Sequence, residues 1–140
     1  MELWQGTSAI CVNDQRQLLM VKQGTPEEVK TWALPGGGKN DDETIEECCV
    51  REVWEETGYV ARAIKELHVK HTQIDPFRVQ VHYILIEIVG GKINILDPDD
   101  LIERVEWIDE STLRDLSLSY EEDRKGLMAL LKSGGNECAE

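Results

Sequence analysis

The chain has little positive charge and no long apolar run. Its 140 residues include 28 Asp plus Glu against 15 Lys plus Arg, which gives a formal net charge of −13. Because nucleic-acid binding draws its affinity from basic patches, this balance argues against a nucleic-acid partner. The longest apolar runs, such as residues 83–86, are strand-sized and far shorter than the roughly 20 residues that cross a bilayer. We therefore expect no nucleic acid polymer and no membrane as a partner.

Cysteines are few, and the sequence shows no export signal. The four cysteines form no CxxC pair, and the adjacent Cys48 and Cys49 are a poor framework for disulfides. Reduced, buried thiols in the cytosol are the ordinary interpretation of such a pattern. The beginning of the chain, MELWQGTSAICV, lacks a basic region followed by an apolar stretch and a cleavage site. We expect one cytoplasmic domain over residues 1–140, as a monomer or homodimer.

Strand-like patterns occur along much of the chain. Residues 8–12 and 18–21 are apolar and β-prone and flank a turn-like stretch at 13–15, which predicts a hairpin. Pro35 and the three glycines after it should end a short strand at 31–34. Further strands are expected over residues 59–72, 77–89 and 105–108.

Two helices are expected between and after these strands. The first should run from about Glu43 to Thr57, with Asp41 or Asp42 as its N-cap and Gly58 just beyond its end. The second is expected over residues 119–132, followed by a loose tail at 133–140. Strands on both sides of a central helix, with another helix at the end, predict an α/β fold with a mixed sheet between helices.

The stretch REVWEETGY, residues 51–59, carries three glutamates on little more than one helical turn. At about 100° per residue, Glu52, Glu55 and Glu56 fall within an arc of roughly 100° and converge on one side. Like charges at such spacings destabilise a helix by a few tenths of a kcal/mol per pair. Either the three side chains form an ordinary solvated face, or they surround a positive charge. Three carboxylates suit a hard divalent cation, Mg²⁺ in particular.

Arg51 and a run of glycines accompany this cluster. One ridge of the expected helix carries Glu43, Glu47, Arg51 and Glu55, so Arg51 should have an acid one turn before it and another one turn after it. We expect this arrangement to hold Glu55 in place. Residues 36–38 are all glycine, which lets the backbone approach a ligand closely and offers carbonyl oxygens as ligands.

Residues 37–59 resemble the Nudix box. Gly37 is followed after five residues by Glu43, and after seven more by REVWEETGY. The preceding WALPGG, and Trp107 after an acidic stretch, are also similar to the family's pattern. The resemblance implies a Nudix-type α/β/α sandwich, and residues 1–140 are then a single Nudix hydrolase domain.

The resemblance also implies an activity and a set of site residues. Nudix hydrolases cleave a pyrophosphate bond in a nucleoside diphosphate linked to a moiety X, by metal-assisted attack of water with Mg²⁺ or Mn²⁺. By the family pattern the catalytic residues would be Glu52, Glu55, Glu56 and Arg51. The three glutamates and the Gly37 carbonyl would bind the metal, and Glu43 would be a supporting residue.

Many family members place an additional acid on a later loop. In this chain four residues compete for the role of an additional base or ligand: Asp97, Asp99, Asp100 and Glu103. The aromatic residues Trp4, Tyr83 and Tyr120 could stack on a base, although core packing is their ordinary role.

Three functions are compatible with this pattern. The first is a pyrophosphohydrolase acting on a small nucleotide, such as a nucleoside triphosphate, in nucleotide-pool housekeeping; the short chain favours it over the second, an ADP-ribose or nucleotide-sugar pyrophosphatase. The third is a catalytically idle Nudix fold that binds a nucleotide or a protein. Loss of a box glutamate or of Arg51 would favour the idle fold, and none of them is lost.

Overall fold

The structure, a computed structural model, describes residues 2–133. The strands, in chain order, are β1 (Glu2–Ile10), β2 (Leu18–Gln23), β3 (Thr31–Ala33), β4 (Gly36–Gly38), β5 (Tyr59–Ile74), β6 (Phe77–Gly91) and β7 (Ile102–Ile108). The α-helices are α1 (Ile45–Thr57), α2 (Glu110–Asp115) and α3 (Arg124–Ser133), and a short 3-10 helix, Glu121–Asp123, precedes α3. In this part of the chain no helix is both long and apolar enough to cross a membrane.

The strands form two sheets. The larger has the order β4-β1-β6-β5 and is mixed, because β1 runs parallel to β6 while the other pairs are antiparallel. The smaller has the order β3-β2-β7 and is antiparallel throughout. The predicted α/β class and mixed sheet are confirmed, and a second sheet accompanies the mixed one.

The hairpin predicted from residues 8–12 and 18–21 is wrong. The chain does turn there, with one bridge between Val12 and Leu18. However, β1 and β2 lie in different sheets, because β1 takes β4 and β6 as its partners. The glycines expected to end the strand at 31–34 are themselves paired: Gly36, Gly37 and Gly38 form β4 along β1.

Alternate residues of the central strands face two separate cores. One core contains Ile10 and Leu85 and is closed by side chains of α2 and α3. The other contains Ala9 and Ile84 and is closed by α1. Since successive side chains of a strand point to opposite faces, this alternation places the sheets between two helical layers. The predicted α/β/α sandwich is therefore present.

The start of α1 differs from the prediction, and its end agrees with it. Thr44, not Asp41 or Asp42, is the N-cap: its hydroxyl accepts a hydrogen bond from the Glu47 N–H, and the Glu47 carboxylate accepts one from the Thr44 N–H. This reciprocal pair is a capping box, whose T-x-x-E pattern is present at residues 44–47. Gly58 ends the helix with a φ of 85°, as predicted.

The C-terminal helix begins later than predicted. Residues 119 and 120 precede the 3-10 helix, and α3 starts only at Arg124. Arg124 donates hydrogen bonds to the carbonyls of Leu113 and Leu116, which ties this segment to the end of α2. Of the predicted loose tail, Ser133 ends α3, and residues 134–140 lie outside the described residues.

Candidate active site

Arg51 organises the acidic side of α1. Its Nη1 lies 2.7 Å from Oε1 of Glu52 and 3.2 Å from Oε1 of Glu55. Its Nε and Nη2 hold both oxygens of Glu43, at 3.0 Å and 2.7 Å, and Nη2 also donates to the Gly38 carbonyl. One guanidinium therefore fixes two of the three box glutamates and joins them to the glycine strand.

The ridge predicted from helical spacing is only half present. Glu55, one turn after Arg51, contacts it as expected. Glu47, one turn before, is used in the capping box instead, and Glu43 reaches Arg51 from outside the helix. Hydrogen bonding to Arg51 is the main cause that holds the pKa of Glu43 at about 2.

Glu52 lies directly against Gly37. A Cβ atom at position 37 would come within 2.5 Å of Oε2 of Glu52, so only glycine allows this approach. Burial raises the pKa of Glu52, although its hydrogen bond to Arg51 acts in the opposite direction. Glu52 and the Gly37 backbone, which the sequence predicted to act together, are thus adjacent in the structure.

Glu56 is the most deeply buried of the three glutamates, with 7% of its surface exposed. Its Oε1 accepts a hydrogen bond of 3.0 Å from the Gly36 N–H. Burial raises the pKa of Glu56 well above its usual range, and the negative charges of Glu52 and Asp97 act in the same direction. A carboxyl group whose pKa is raised in this way holds its proton more strongly than an exposed glutamate does.

Of the four competing acids, Asp97 is the one whose charge reaches Glu56. The preceding segment is pinned to the end of α1, since the N–H groups of Asn94 and Leu96 donate to the carbonyls of Thr57 and Glu55, both at 2.8 Å. The Asp97 carboxylate itself accepts hydrogen bonds from N–H groups in its own loop: Asp99, Leu101 and Ile102. Asp97 is therefore both a loop-forming residue and a neighbour of the site.

The other three acids have different surroundings. Asp100 adopts a left-handed backbone with a φ of 55° within the same turn. Glu103 lies 3.6 Å from Lys22 in an exposed ion pair. Asp99 contributes its N–H to the Asp97 carboxylate and is exposed. Of the four acids, Asp97 is thus the one whose charge acts on a box glutamate.

The donor set fits a hard divalent cation in chemistry. Glu52, Glu55 and Glu56 offer only oxygen atoms, and the one guanidinium beside them contacts only Glu52 and Glu55, so carboxylates outnumber cations. Burying carboxylates without full neutralisation is costly, and a bound cation would offset that cost. Within residues 2–133, however, no three His, Cys, Asp or Glu side chains are already arranged to hold a metal ion. The charge of the site thus suits a metal ion, but the side chains of the described residues are not preorganised in a coordination geometry.

A cavity of about 520 Å³ opens beside this cluster. Gly36 and Gly37 of β4 and Lys70 of β5 line it from opposite edges of the mixed sheet, and Tyr120 and Glu122 lie beside Lys70. Most of the side chains between them are apolar: Ala33, Leu34, Ile74, Phe77, Val79 and Val81. Sequence reasoning noted the aromatic residues but missed Lys70 and Glu122, because no local pattern brings them together.

The comparison with protein families agrees with this geometry. The family model for the NUDIX domain matches residues 3–131. The chain therefore belongs to the Nudix family. This also confirms the resemblance inferred from residues 37–59.

Related proteins carry several names. A Bacillus subtilis protein whose name refers to 8-oxo-dGTP diphosphatase activity is 38% identical over 88 residues, which cover 63% of this chain and 56% of that protein. An ADP-ribose pyrophosphatase of Methanocaldococcus jannaschii is 29% identical over 119 residues, 84% of this chain and 69% of that protein. The chain thus spans little more than half the length of the first of these relatives.

Solved structures support the fold. A NUDIX hydrolase from Nitrosomonas europaea superposes with a TM-score of 0.78 over 97% of this chain and 90% of the other, at 17% identity. A MutT protein from Methanosarcina mazei gives a TM-score of 0.70 over 99% of this chain and 97% of the other, also at 17% identity. At such identities the likeness establishes the architecture alone.

Proposed function

We propose that this chain is a Nudix pyrophosphohydrolase that cleaves a pyrophosphate bond in a nucleoside diphosphate linked to a moiety X, with nucleoside triphosphates as the first candidates. One observation carries the proposal: the Gly36-Gly37 backbone touches the buried carboxylates on one side and lines the cavity on the other. A ligand in the cavity would therefore bring its phosphates to the glutamates of α1. The names of the relatives support the same reaction class.

The roles of the site residues follow from their positions. Glu52, Glu55 and Glu56, with the Gly37 carbonyl, would hold Mg²⁺ or Mn²⁺. Arg51 would orient Glu52 and Glu55, because it already contacts both. Glu43 supports Arg51 through two hydrogen bonds. Asp97 is the best placed of the later acids to assist, since its charge acts on Glu56.

The chemistry requires charge neutralisation and a proton acceptor. The oxygens of a pyrophosphate repel a nucleophile, and a bound divalent cation neutralises this charge and acidifies a water molecule. Burial of Glu56 raises its pKa, which makes its carboxylate a stronger proton acceptor than an exposed glutamate. The Gly36 N–H keeps the Glu56 carboxylate aimed at the glycine strand.

We further propose that the protein is cytoplasmic and is a monomer or a homodimer. Its partner would be a small-molecule nucleotide and not a nucleic acid polymer.

A second candidate is an ADP-ribose or nucleotide-sugar pyrophosphatase. A second cavity of about 380 Å³ shares Gln23 and Tyr120 with the first, and it could receive the distal part of a longer substrate. The M. jannaschii relative is named as an ADP-ribose pyrophosphatase. Room for a larger moiety X is the observation that favours this candidate.

A substrate panel tests both candidates. The purified chain is incubated with Mg²⁺ and nucleoside triphosphates, ADP-ribose or nucleotide sugars, and the products are identified by chromatography. We expect cleavage of a pyrophosphate bond, with the highest kcat/KM for a nucleoside triphosphate. Preference for ADP-ribose would establish the second candidate. Binding without turnover on the whole panel would instead favour the idle fold and overturn the proposal.

A further inference from the structure

The far end of the cavity carries a cluster of charged side chains that lies outside the Nudix box, residues 37–59. Lys70 of β5 lies 3.0 Å from Glu122 and 3.5 Å from Asp123. Its ammonium also lies 5.5 Å from the centre of the Tyr83 ring and 4.9 Å from that of Tyr120. Among the described residues that line the cavity, Lys70 is the single basic side chain and Glu122 the single acidic one. The lining of this end therefore carries one positive and one negative charge, and the Asp123 carboxylate lies just behind it.

The wall that carries Glu122 is fixed to both sheets. The Tyr83 hydroxyl of β6 donates to Asp123 at 2.7 Å. On the other side, Ser119 bonds Thr31 of β3 at 2.6 Å and Gln23 of β2 at 3.4 Å. Since the segment between residues 119 and 123 is held at both ends, Glu122 and Lys70 keep a defined separation. A defined donor beside a defined acceptor can discriminate between ligands.

The chemistry of this end excludes two kinds of ligand group. A second phosphate would meet the carboxylates of Glu122 and Asp123, which repel it. A sugar needs several hydrogen-bonding partners, whereas the walls nearby are apolar, as at Val79 and Val81. A flat heterocycle with both an acceptor and a donor on one edge fits the apolar walls and the ion pair together.

We propose that Lys70 and Glu122 are specificity-determining residues that bind the edge of a nucleobase, guanine in particular, while the phosphates lie at the glycine end; this rests on the proposed function. Lys70 has only donors and Glu122 has only acceptors when ionised. Guanine offers a carbonyl next to two N–H donors, so Lys70 binds the carbonyl and the two oxygens of Glu122 accept both N–H groups. Hypoxanthine lacks the second donor and gives one hydrogen bond fewer.

The test compares GTP with inosine triphosphate, which differ by that single amino group. In the presence of Mg²⁺ we expect the wild type to have a roughly tenfold lower KM for GTP, the size expected of a good bidentate contact. In Glu122→Gln the difference should disappear, because the amide has one acceptor oxygen in place of two and its NH2 group would face an N–H donor of the base. Lys70→Met should raise KM for both nucleotides roughly tenfold with little change in kcat.

Matched variants separate this role from a general effect. Glu121→Gln changes the neighbouring glutamate, and Lys65→Met changes a lysine of the same strand; neither residue lines the cavity. Both should keep the wild-type KM values and the preference for GTP. If Lys70→Met lowers the melting temperature markedly, Glu122→Gln still decides, because Glu122 is exposed by 59% and its loss should not affect folding.

Binding of the nucleoside monophosphates provides a readout that needs no turnover. Calorimetry on the metal-free wild type should show GMP binding roughly tenfold more tightly than inosine monophosphate, and Glu122→Gln should abolish the difference. Absence of hydrolysis together with this binding pattern would overturn the proposed function and support the base contact. Equal binding of the two monophosphates, or a GTP preference that Glu122→Gln leaves unchanged, would overturn the role of Glu122. Unchanged KM values in Lys70→Met would overturn the role of Lys70.

Discussion

The two ends of the cavity differ in charge. At the glycine end Arg51 pairs with Glu52 and Glu55 while Glu56 lies beside them, so carboxylates outnumber the guanidinium. At the far end Lys70 faces Glu122, and the lining of the cavity there is close to neutral. Excess negative charge suits a cation with its phosphates, whereas a balanced pair suits an uncharged heterocycle. Under the proposed function, the glycine end would carry out the chemistry and the far end would select the ligand.

The largest effect is expected from Glu52→Gln. Glu52 lies against Gly37 and binds Arg51, and loss of its charge should weaken metal binding at the glycine end. We expect kcat to fall by roughly a hundredfold or more, since a metal contributes several kcal/mol to the reaction. GMP binding at the far end should be unchanged. Glu46→Gln, an exposed glutamate of the same helix, is the matched control and should keep full activity.

A Glu52→Gln variant with kcat within twofold of the wild type would contradict a catalytic role for the glycine end. If the variant lost GMP binding to the same degree as turnover, the two ends would not act separately. Steady-state kinetics and calorimetry on the same preparations decide between these outcomes.

Arg51→Lys should have the next largest effect. An ammonium cannot bind both oxygens of Glu43 and also contact Glu52, as the planar guanidinium does. We expect about 1.5–3 kcal/mol of lost stability and a fall in kcat of at least roughly tenfold. Arg62→Lys, an exposed arginine paired with Glu87, should change neither quantity. If Arg51→Lys had the same urea midpoint and the same kcat as Arg62→Lys, the organising role of Arg51 would be contradicted.

Glu43 should give the protein a specific acid sensitivity. Arg51 holds the pKa of Glu43 at about 2, below its ordinary value of 4.5. A lowered pKa means that Glu43 stabilises the fold fully above about pH 4.5, and that this contribution is lost as the pH falls towards 2. The stability gap between wild type and Glu43→Gln should therefore narrow between pH 5 and pH 2.5 in urea titrations. A gap of constant size over this range would contradict the assignment.

Glu55→Gln should have the smallest effect on the metal-free protein. The Glu55–Arg51 pair is of the i,i+4 type at 3.2 Å, worth a few tenths of a kcal/mol, and removal of one like charge offsets its loss. We expect the melting temperature without metal to change little. The gain from Mg²⁺, about 2.7 kcal/mol at a hundredfold excess over Kd, should shrink. Marked destabilisation without metal would instead make Glu55 a structural partner of Arg51.

The glycine end of the site could be predicted from sequence because its residues are close together in the chain. Arg51, Glu52, Glu55 and Glu56 lie on one helix, and the glycine run precedes it directly. Helical spacing therefore identified the contact between Arg51 and Glu55. It failed for Glu47, because a cap at Thr44 competes for the same carboxylate.

The far end could not be predicted, because tertiary structure alone assembles it. Lys70 and Glu122 are 52 residues apart in the chain, and they meet only after β5 pairs with β6 and the 3-10 helix packs against them. The hairpin predicted from residues 8–12 and 18–21 was wrong for the same reason, since tertiary structure decides which strands pair. Local patterns showed that residues 8–12 and 18–21 are extended, but the partner of β1 is β6, far along the sequence.

Turnover by the wild-type chain should depend strictly on a divalent cation. The protein is freed of metal by exhaustive chelation, and cleavage of GTP is followed while Mg²⁺ or Mn²⁺ is added back. Because the glycine end holds more carboxylates than cations, we expect no turnover without metal, and turnover that rises to saturation with either ion. Undiminished pyrophosphate-bond cleavage in an excess of chelator would contradict the account.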